Sequence, residues 1–533
     1  MPRAQPLDRG RSDLTLQDTE ATREYHEATK HSEWSLRSSR HQLDWGNKPL
    51  PFKIYPGLEP IPLVQDLSEG SVPALEAIAR SPAQAREAHE QVLDLARLSR
   101  VLYLSAGITK RRRHPGGEVH FRAYPNTGAL HHVDLYLVAG ERSDLAAGVY
   151  HFGPHDFALR RLREGDWRGV LVEASGGNAD IVRAPLILAS ASTYWRNSWK
   201  YQARAWRHCF WDAGTLHANL LAAAGEEELE PRVVLGWADR RVEELLGLDP
   251  RREGALTLVA LGRSRSAPAL AREVPELRLE TEPLSREEVD YPLIRAAQAA
   301  SSLAGAAEAA AWRGARLGRE EAAPSGLLTP LRLRPQPLLP SDALDRVIRR
   351  RGSTRAFDRR RSITFEDLST ALDRATRGVP ADFLEPGTTL LDLYLIVNAV
   401  EGLAPGAYYY RRTERSLELL REGRFRGAAG RLALGQELAA DAAVNVYSLV
   451  DLPGVLERFG NRGYRAAQLE GGITGGRLYL AAYAQRFGAS GLTFFDDEVT
   501  EFFSPHAAGK SVMFLVALGR PDLVALGLPA RIR

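Results

Sequence analysis

Residues 119–138 read VHFRAYPNTGALHHVDLYLV. Tyr124-Pro125-Asn126-Thr127-Gly128 makes a turn-rich loop, and Val133 to Val138 an apolar strand after it. A Pro followed by Asn, Thr and Gly lets the backbone turn tightly and leaves amide N–H groups exposed. Such amides, beside short hydroxyl and carboxamide side chains, suit a flat ring with polar edges. Alone, the stretch also fits an ordinary turn before a strand, so the rest of the chain decides.

The same pattern returns downstream. Leu135-Tyr136-Leu137 recurs as Leu393-Tyr394-Leu395, an offset of 258 (393 − 135). Gly148-Val149-Tyr150 recurs as Gly406-Ala407-Tyr408, and Arg204, Arg207, Asp212 and Gly214 as Arg462, Arg465, Glu470 and Gly472, all at 258. Leu258 to Gly262 recurs as Leu515 to Gly519, at 257. So steady a register marks a duplicated domain. Two copies in one chain are expected to pack as a pseudo-two-fold dimer, keeping an isologous interface. We place an N-terminal arm at 1–70, the first copy at 71–265, a helical connector and proline-rich linker at 266–340, and the second copy at 341–533.

Within the first copy, Val92, Leu95, Leu98, Val101 and Leu102 predict an amphipathic helix over Glu90 to Ala106. The basic run Lys110 to Arg113 with Gly116-Gly117 reads as a loop. Strands are expected at Val149 to Phe152, Ala184 to Ala191 and Ala255 to Leu261, and a long helix from Trp199-Lys200-Tyr201 to Ala224. Met1 to Glu20 is polar and aperiodic, and Tyr25 to Pro56 alternates aromatics and prolines like an extended arm. In the connector, Ser285 to Glu288 reads as a capping box opening a helix over Arg286 to Leu303, with Ala304 to Arg319 extending it. Pro324 to Pro340 reads as an extended linker and Ala343 to Arg350 as a helix.

Composition bounds the function. At 533 residues, 44% hydrophobic and 26% charged, the chain suits a soluble globular protein of more than one domain. A net charge of +3 argues against nucleic acid or a membrane surface as partner. No apolar run reaches membrane-span length, and the N-terminus has no signal-peptide core. With Cys209 the single cysteine, no intrachain disulfide forms and a reducing cytoplasm is the expected home. His26 and His31 lack companions at ligand spacing, so no metal is expected; His151, His155, His208 and His217 read as packing or surface. Arg204 and Arg207 read as helix-face salt-bridge formers.

The copies differ where chemistry is expected. Arg351-Gly352-Ser353-Thr354-Arg355 sets two guanidiniums about a hydroxyl, a donor set that can grip a phosphate monoester. Aligning Leu98 with Leu368, an offset of 270, puts Ser81 and Ala85 at the positions of Arg351 and Arg355. Conversely, Tyr124 to Gly128 corresponds to Asp382 to Pro386, DFLEP, which lacks the Asn-Thr-Gly chemistry. Each copy keeps one half-site, so joining them across the interface makes one complete site and one dead one. The alternative for the Arg349 to Arg361 cluster is a solvated basic face.

RGSTRAF at 351–357 resembles the phosphate-binding opening of FMN-dependent nitroreductases, and YPNTGALHHVDLYLV resembles their ring-binding loop and strand. The tandem arrangement, YHEATKHS at 25–32, the LDW and PFKIYP segments of the arm, and WKYQARAWRHCFWDAG together are similar to the SagB-type dehydrogenases, FMN enzymes that oxidise azolines to azoles in modified peptides. The resemblance runs from Tyr25 to Pro521. It implies an α+β fold of tandem nitroreductase-like domains with FMN at their interface. It implies phosphate binding by Arg351, Ser353, Arg355 and Lys510, ring binding by Tyr124, Pro125, Asn126, Thr127 and Gly128, and Gly488 to Gly491 at the ring edge. Lys200 and Tyr201 match the family's catalytic pair. Losing a carbon-bound proton and a hydride needs a base; a Tyr beside a cation can have its pKa lowered, and Lys can supply that cation or be the base. The second copy has Arg458 and Phe459 there, and Phe cannot move a proton. Two departures are Pro-Asn-Thr-Gly for Pro-Ser-Ala-Gly and His131-His132 for Tyr-Pro. Implied partners are an azoline-bearing peptide and a possible cyclodehydratase, with a further homodimer open. The competing functions are an NAD(P)H-dependent flavin reductase acting on nitro or quinone compounds, and a flavin-free subunit of a biosynthetic complex.

Overall fold

The computed structural model describes residues 18–80, 93–114, 117–142, 144–315 and 323–525. Among them are two seven-stranded sheets of matching topology. In spatial order the first holds Pro60–Pro62, Ala158–Glu164, Gly148–Gly153, Val133–Ala139, Leu186–Thr193, Glu253–Leu261 and Arg232–Val234. The second holds Leu327–Pro330, Ser416–Glu422, Gly406–Arg411, Asp392–Val397, Val444–Val450, Ser511–Gly519 and Gly488–Gly491. Neighbours in both sheets are antiparallel, and Tyr136 opposite His151 recurs as Tyr394 opposite Tyr409, at the offset of 258. The chain is thus a tandem α+β duplication.

Each sheet contributes a long helix to the centre: Ala205–Glu226 and Arg462–Ala484. Both are buried nearly all round, and charged side chains on them, such as Arg207, Arg462 and Arg465, are paired in the interior rather than turned to water. They meet at Gly214 and Gly472. A Cβ on Gly214 would stand 2.6 Å from Gly472 Cα and 2.6 Å from Leu469 O, backbone atoms that cannot swing aside. Gly214→Ala is expected to destabilise the chain by about 1–3 kcal/mol, read as a lower thermal midpoint; an unchanged midpoint would mean that the helices separate freely.

The contacts across the pseudo-dyad are reciprocal, as an isologous interface requires. The Ala74 amide donates to Asp342 O (2.9 Å) while Leu344 donates to Val72 O (3.1 Å). Arg204 and Arg207 of the first copy hold Asp496 of the second at 3.0 and 2.6 Å, and Arg462 and Arg465 hold Asp239 of the first at 2.5 and 2.7 Å. The two cores also interpenetrate. Val455, Leu456 and Phe459 belong to the first copy's apolar cluster, and Leu75, Ile78 and Trp211 to the second's.

Several expectations need correcting. The arm is helical over Glu20–Ala28 and Glu33–Ser38 rather than extended. Arg207 donates to His26 O (2.6 Å) and Thr29 Oγ1 (3.0 Å), just as Arg465 donates to Gln298 O and Ser301 Oγ (both 2.8 Å). The arm is therefore the first copy's counterpart of the connector. The connector helix begins at Pro292, whose missing N–H suits a first turn, and runs to Ala300; Ala306–Arg313 is a separate helix. Leu327–Pro330 in the supposed linker is an edge strand. Lys110 to Arg113 is no loop but part of a hairpin, Ile108–His114 with Gly117–Arg122. Met1 to Gln17, Ser81, Ala85, Glu90 to Val92 and 316–319 lie outside the described residues.

Candidate active site

The seam between the copies is asymmetric. On one side the Arg351 guanidinium crosses it, donating to Ala123 O (3.1 Å) and Arg122 O (3.0 Å), the residues that lead into the Tyr124 to Gly128 loop. The two predicted half-sites therefore meet. Thr354 N donates to Ala489 O (2.9 Å), and Tyr479 OH, from the second long helix, ties Ser353 Oγ (3.2 Å) to the Gly491 amide. Gly488 packs so closely on Thr354 that a Cβ has no room. Arg355 is exposed and, among the described residues, has no hydrogen bond or ion pair.

On the other side the seam is closed. Val233 N donates to Pro380 O (2.8 Å), Asp382 N donates to Val233 O (3.0 Å), and the Asp382 carboxylate accepts from Leu235 N and Gly236 N (both 2.9 Å). The DFLEP segment has joined the edge of the first sheet, with Phe383 2% and Leu384 9% exposed, so the second seam is filled with protein.

The Tyr124 to Gly128 loop is held from behind rather than presented whole. The Thr127 amide and hydroxyl donate to Asp212 on the first long helix (3.0 and 2.7 Å). Asn126 Oδ1 accepts from His131 N (2.8 Å), Pro125 O from Thr215 Oγ1 (2.6 Å), and Tyr124 is 1% exposed. The expected free amide and hydroxyl of Thr127 are thus spent internally. Asp212 is fixed in turn by His132 Nε2 (2.7 Å), whose Nδ1 meets Ser192 Oγ (2.9 Å). Gly128, at φ 65°, completes the lip; a Cβ there would come within 2.8 Å of Tyr201 Oη.

Lys200 and Tyr201 end a short helix, Tyr194–Tyr201, instead of opening the long one. The break is Gln202, at φ 51° and ψ −140°, where the second copy has Gly460 at φ 59° and ψ −161°. A non-glycine residue in this region costs about 1–3 kcal/mol, a strain typical of functional sites. The Tyr201 ring stands edge-on to His208 (4.7 Å), and its hydroxyl makes no hydrogen bond among the described residues. Burial, with Asp212 adding to it, pushes the phenol up to about 12, opposed by Arg355. Lys200 is exposed, its Nζ 5.3 Å from the Tyr201 ring centroid, but the cation that lowers Tyr201 is Arg355. The expected lowering of Tyr201 by Lys200 is therefore not what the geometry supports.

Lys510 is not brought to this cluster. Gly488 pairs with Gly519, at the far end of the strand that Lys510 precedes, which puts about 27 Å of strand between them. Lys510 instead bridges Asp392 (2.8 Å) and Tyr394 OH (2.9 Å) and lines a cavity of about 1210 Å³ in the second copy. Asp212, His132 and Tyr479 went unrecognised from sequence; Asp212 stood in the repeat register but carried no chemical signature.

The sequence matches the Nitroreductase family over residues 82–263 and again over 348–520. A crystal structure from Anabaena variabilis, named as a nitroreductase, is 27% identical with a TM-score of 0.76, and the match covers 94% of this chain and 99% of that one. MJ1384 of Methanocaldococcus jannaschii, also named as a nitroreductase, is 25% identical over 189 residues, 36% of this chain and 90% of that protein. The trifolitoxin-processing protein TfxB of Rhizobium leguminosarum bv. trifolii is 29% identical over 152 residues, 28% of this chain and only 41% of that protein. With two matched copies, one open seam and one filled seam, the chain belongs to the nitroreductase family as a tandem pseudo-dimer.

Proposed function

We propose that this oxidoreductase is an FMN-dependent dehydrogenase that converts azoline rings of a ribosomally made peptide to azoles, with molecular oxygen as acceptor. The observation that carries the reading is the gathering at one seam of three groups without hydrogen-bond partners among the described residues: Tyr201 Oη, Lys200 Nζ and the Arg355 guanidinium. The donor set fits FMN. Arg355 and Ser353, buttressed by Arg351, suit a phosphate monoester, and Gly491, where a Cβ would meet nothing nearer than Tyr479 OH at 3.5 Å, leaves space for a ligand edge, while Gly488 makes room for Thr354. Peptide chemistry is supported by the likeness to TfxB and by the Lys-Tyr pair.

Bound FMN would supply the hydride acceptor. The ring loses one hydride and one proton, and oxygen takes up both as hydrogen peroxide. On this reading Tyr201, protonated near neutrality, donates a hydrogen bond from Oη to the substrate and makes its C–H more acidic. Lys200 Nζ, at the mouth of the site, takes the proton. Lys200→Met is then expected to lower turnover by about 100-fold or more while FMN content stays at the wild-type value.

Titrating the apo-chain with FMN is expected to saturate at a single flavin. Arg355→Ala is expected to weaken that binding by about 10–100-fold, the loss of charge-assisted hydrogen bonds. Unchanged affinity would remove Arg355 from the site, and a second flavin per chain would contradict the filled seam. Azole and peroxide from a thiazoline peptide would support the dehydrogenase. Rapid bleaching by NADH with no azole formed would favour an NAD(P)H-dependent reductase instead.

A further inference from the structure

Among the described residues the hairpin Ile108–His114 with Gly117–Arg122 occurs in the first copy alone. The offset between copies is 270 at the helix before it and 258 at the strand after it, so the first copy is longer by 12 residues in the stretch that holds the hairpin. It joins neither large sheet, so its outer edges carry backbone groups unpaired by any strand. Directly opposed residues share a face. Arg111 opposes His120 and faces the body: Arg111 donates to His155 O (3.3 Å), and the His120 ring meets Phe52 at 5.4 Å. Lys110 opposes Phe121 and Arg112 opposes Val119, and this face meets solvent, with Val119 37% and Phe121 40% exposed. Among the described residues neither Lys110 nor Arg112 has an acidic partner. The hairpin ends at Arg122, whose carbonyl Arg351 grips, so it stands at the edge of the open seam.

We infer that this ribbon docks an acidic, extended segment of the substrate peptide, a proposal that rests on the peptide reading above. An added strand pairs its backbone with the open edge, while its side chains alternate with period two. Acidic side chains on its solvent side then meet Lys110 and Arg112, beside which Val119 and Phe121 on the same face shield the ion pairs from water, and the intervening apolar side chains turn to the opposite face, toward the body. A nucleic acid would use the cations but leave the two apolar side chains and the strand edge unmatched. Among the described residues the filled seam has no hairpin beside it, so the ribbon accompanies the seam that holds Tyr201 and Arg355.

The test is fluorescence anisotropy on the full chain, with a labelled peptide alternating Glu with Val, a peptide of the same composition in blocks, and a single-stranded oligonucleotide. The alternating peptide is expected to bind best. Lys110→Glu with Arg112→Glu is expected to weaken it about tenfold or more, and Val119→Ser with Phe121→Ser to weaken it as well. All four positions are exposed, so FMN content and oxidation of a small thiazoline without an acidic segment should stay at wild-type values. Equal binding by the charge-reversed chain, equal binding of the block peptide, or tighter binding of the oligonucleotide would each overturn the proposal. Failure of the wild type to oxidise any thiazoline would sink the dehydrogenase reading while leaving the anisotropy result to decide docking.

Discussion

Tyr201→Phe is expected to keep FMN at wild-type stoichiometry and to lower azoline turnover by about 10²–10³-fold, the usual cost of removing one positioned donor. The substitution removes a single oxygen. The ring stays edge-on to His208, and because the hydroxyl has no partner among the described residues, nothing in the fold is left unsatisfied. Stability should therefore hold, and the loss should fall on kcat more than on KM. The raised phenol pKa sharpens the test. If Tyr201 were the base, turnover would climb toward about 12 and Lys200→Met would keep that climb. If Tyr201 is the donor, no climb toward that value appears. Undiminished turnover in Tyr201→Phe would remove Tyr201 from the mechanism, and loss of flavin would make it a cofactor contact instead.

How much of this could be read in advance depended on where side chains carry the information. The buried strands were legible because both faces are apolar, and the register between copies held because equivalent strands oppose equivalent partners. The meeting of Arg351 with the Tyr124 loop followed from duplication alone. The hairpin escaped because Lys110 to Arg113 puts cations on both faces, which leaves no alternation to detect. The kinship of arm and connector escaped because the contacts that define it use the carbonyls of His26 and Gln298, which impose no side chain. Lys510 was misplaced because nearness to the last strand does not say which of its ends lies at the seam. The break at Gln202 was invisible because the residue that marks such a turn, glycine, stands only in the second copy, at Gly460.

Asp496→Ala is expected to cost about 3–5 kcal/mol, among the largest effects a single substitution can have here, because it strands two guanidiniums in the interior. Arg204 is 4% and Arg207 0% exposed, and neither can reach water without opening the interface. The carboxylate also accepts from His31 N (2.8 Å), so it joins the first copy, the second copy and the arm at one point. A lower thermal midpoint should therefore come with faster proteolysis within residues 18–40. Asp239→Ala, the counterpart across the pseudo-dyad, should match it in size, and the double variant should approach the sum, because the two clusters share no residue. The pH dependence has a definite sign. Burial pushes the Asp496 carboxyl up, but Arg204 and Arg207 outweigh it and hold the group well below the usual carboxylate range. A depressed folded-state value contributes stability that is fully present above the unfolded value of about 3.9 and is lost as pH falls through the folded one. The gap between wild type and Asp496→Ala should thus be flat from neutral pH down to about 4 and narrow only in stronger acid. A gap that closes between pH about 8 and 6 would assign the effect to another group, and no gap at all would mean that the two arginines reach solvent and the copies are held by their apolar cores alone.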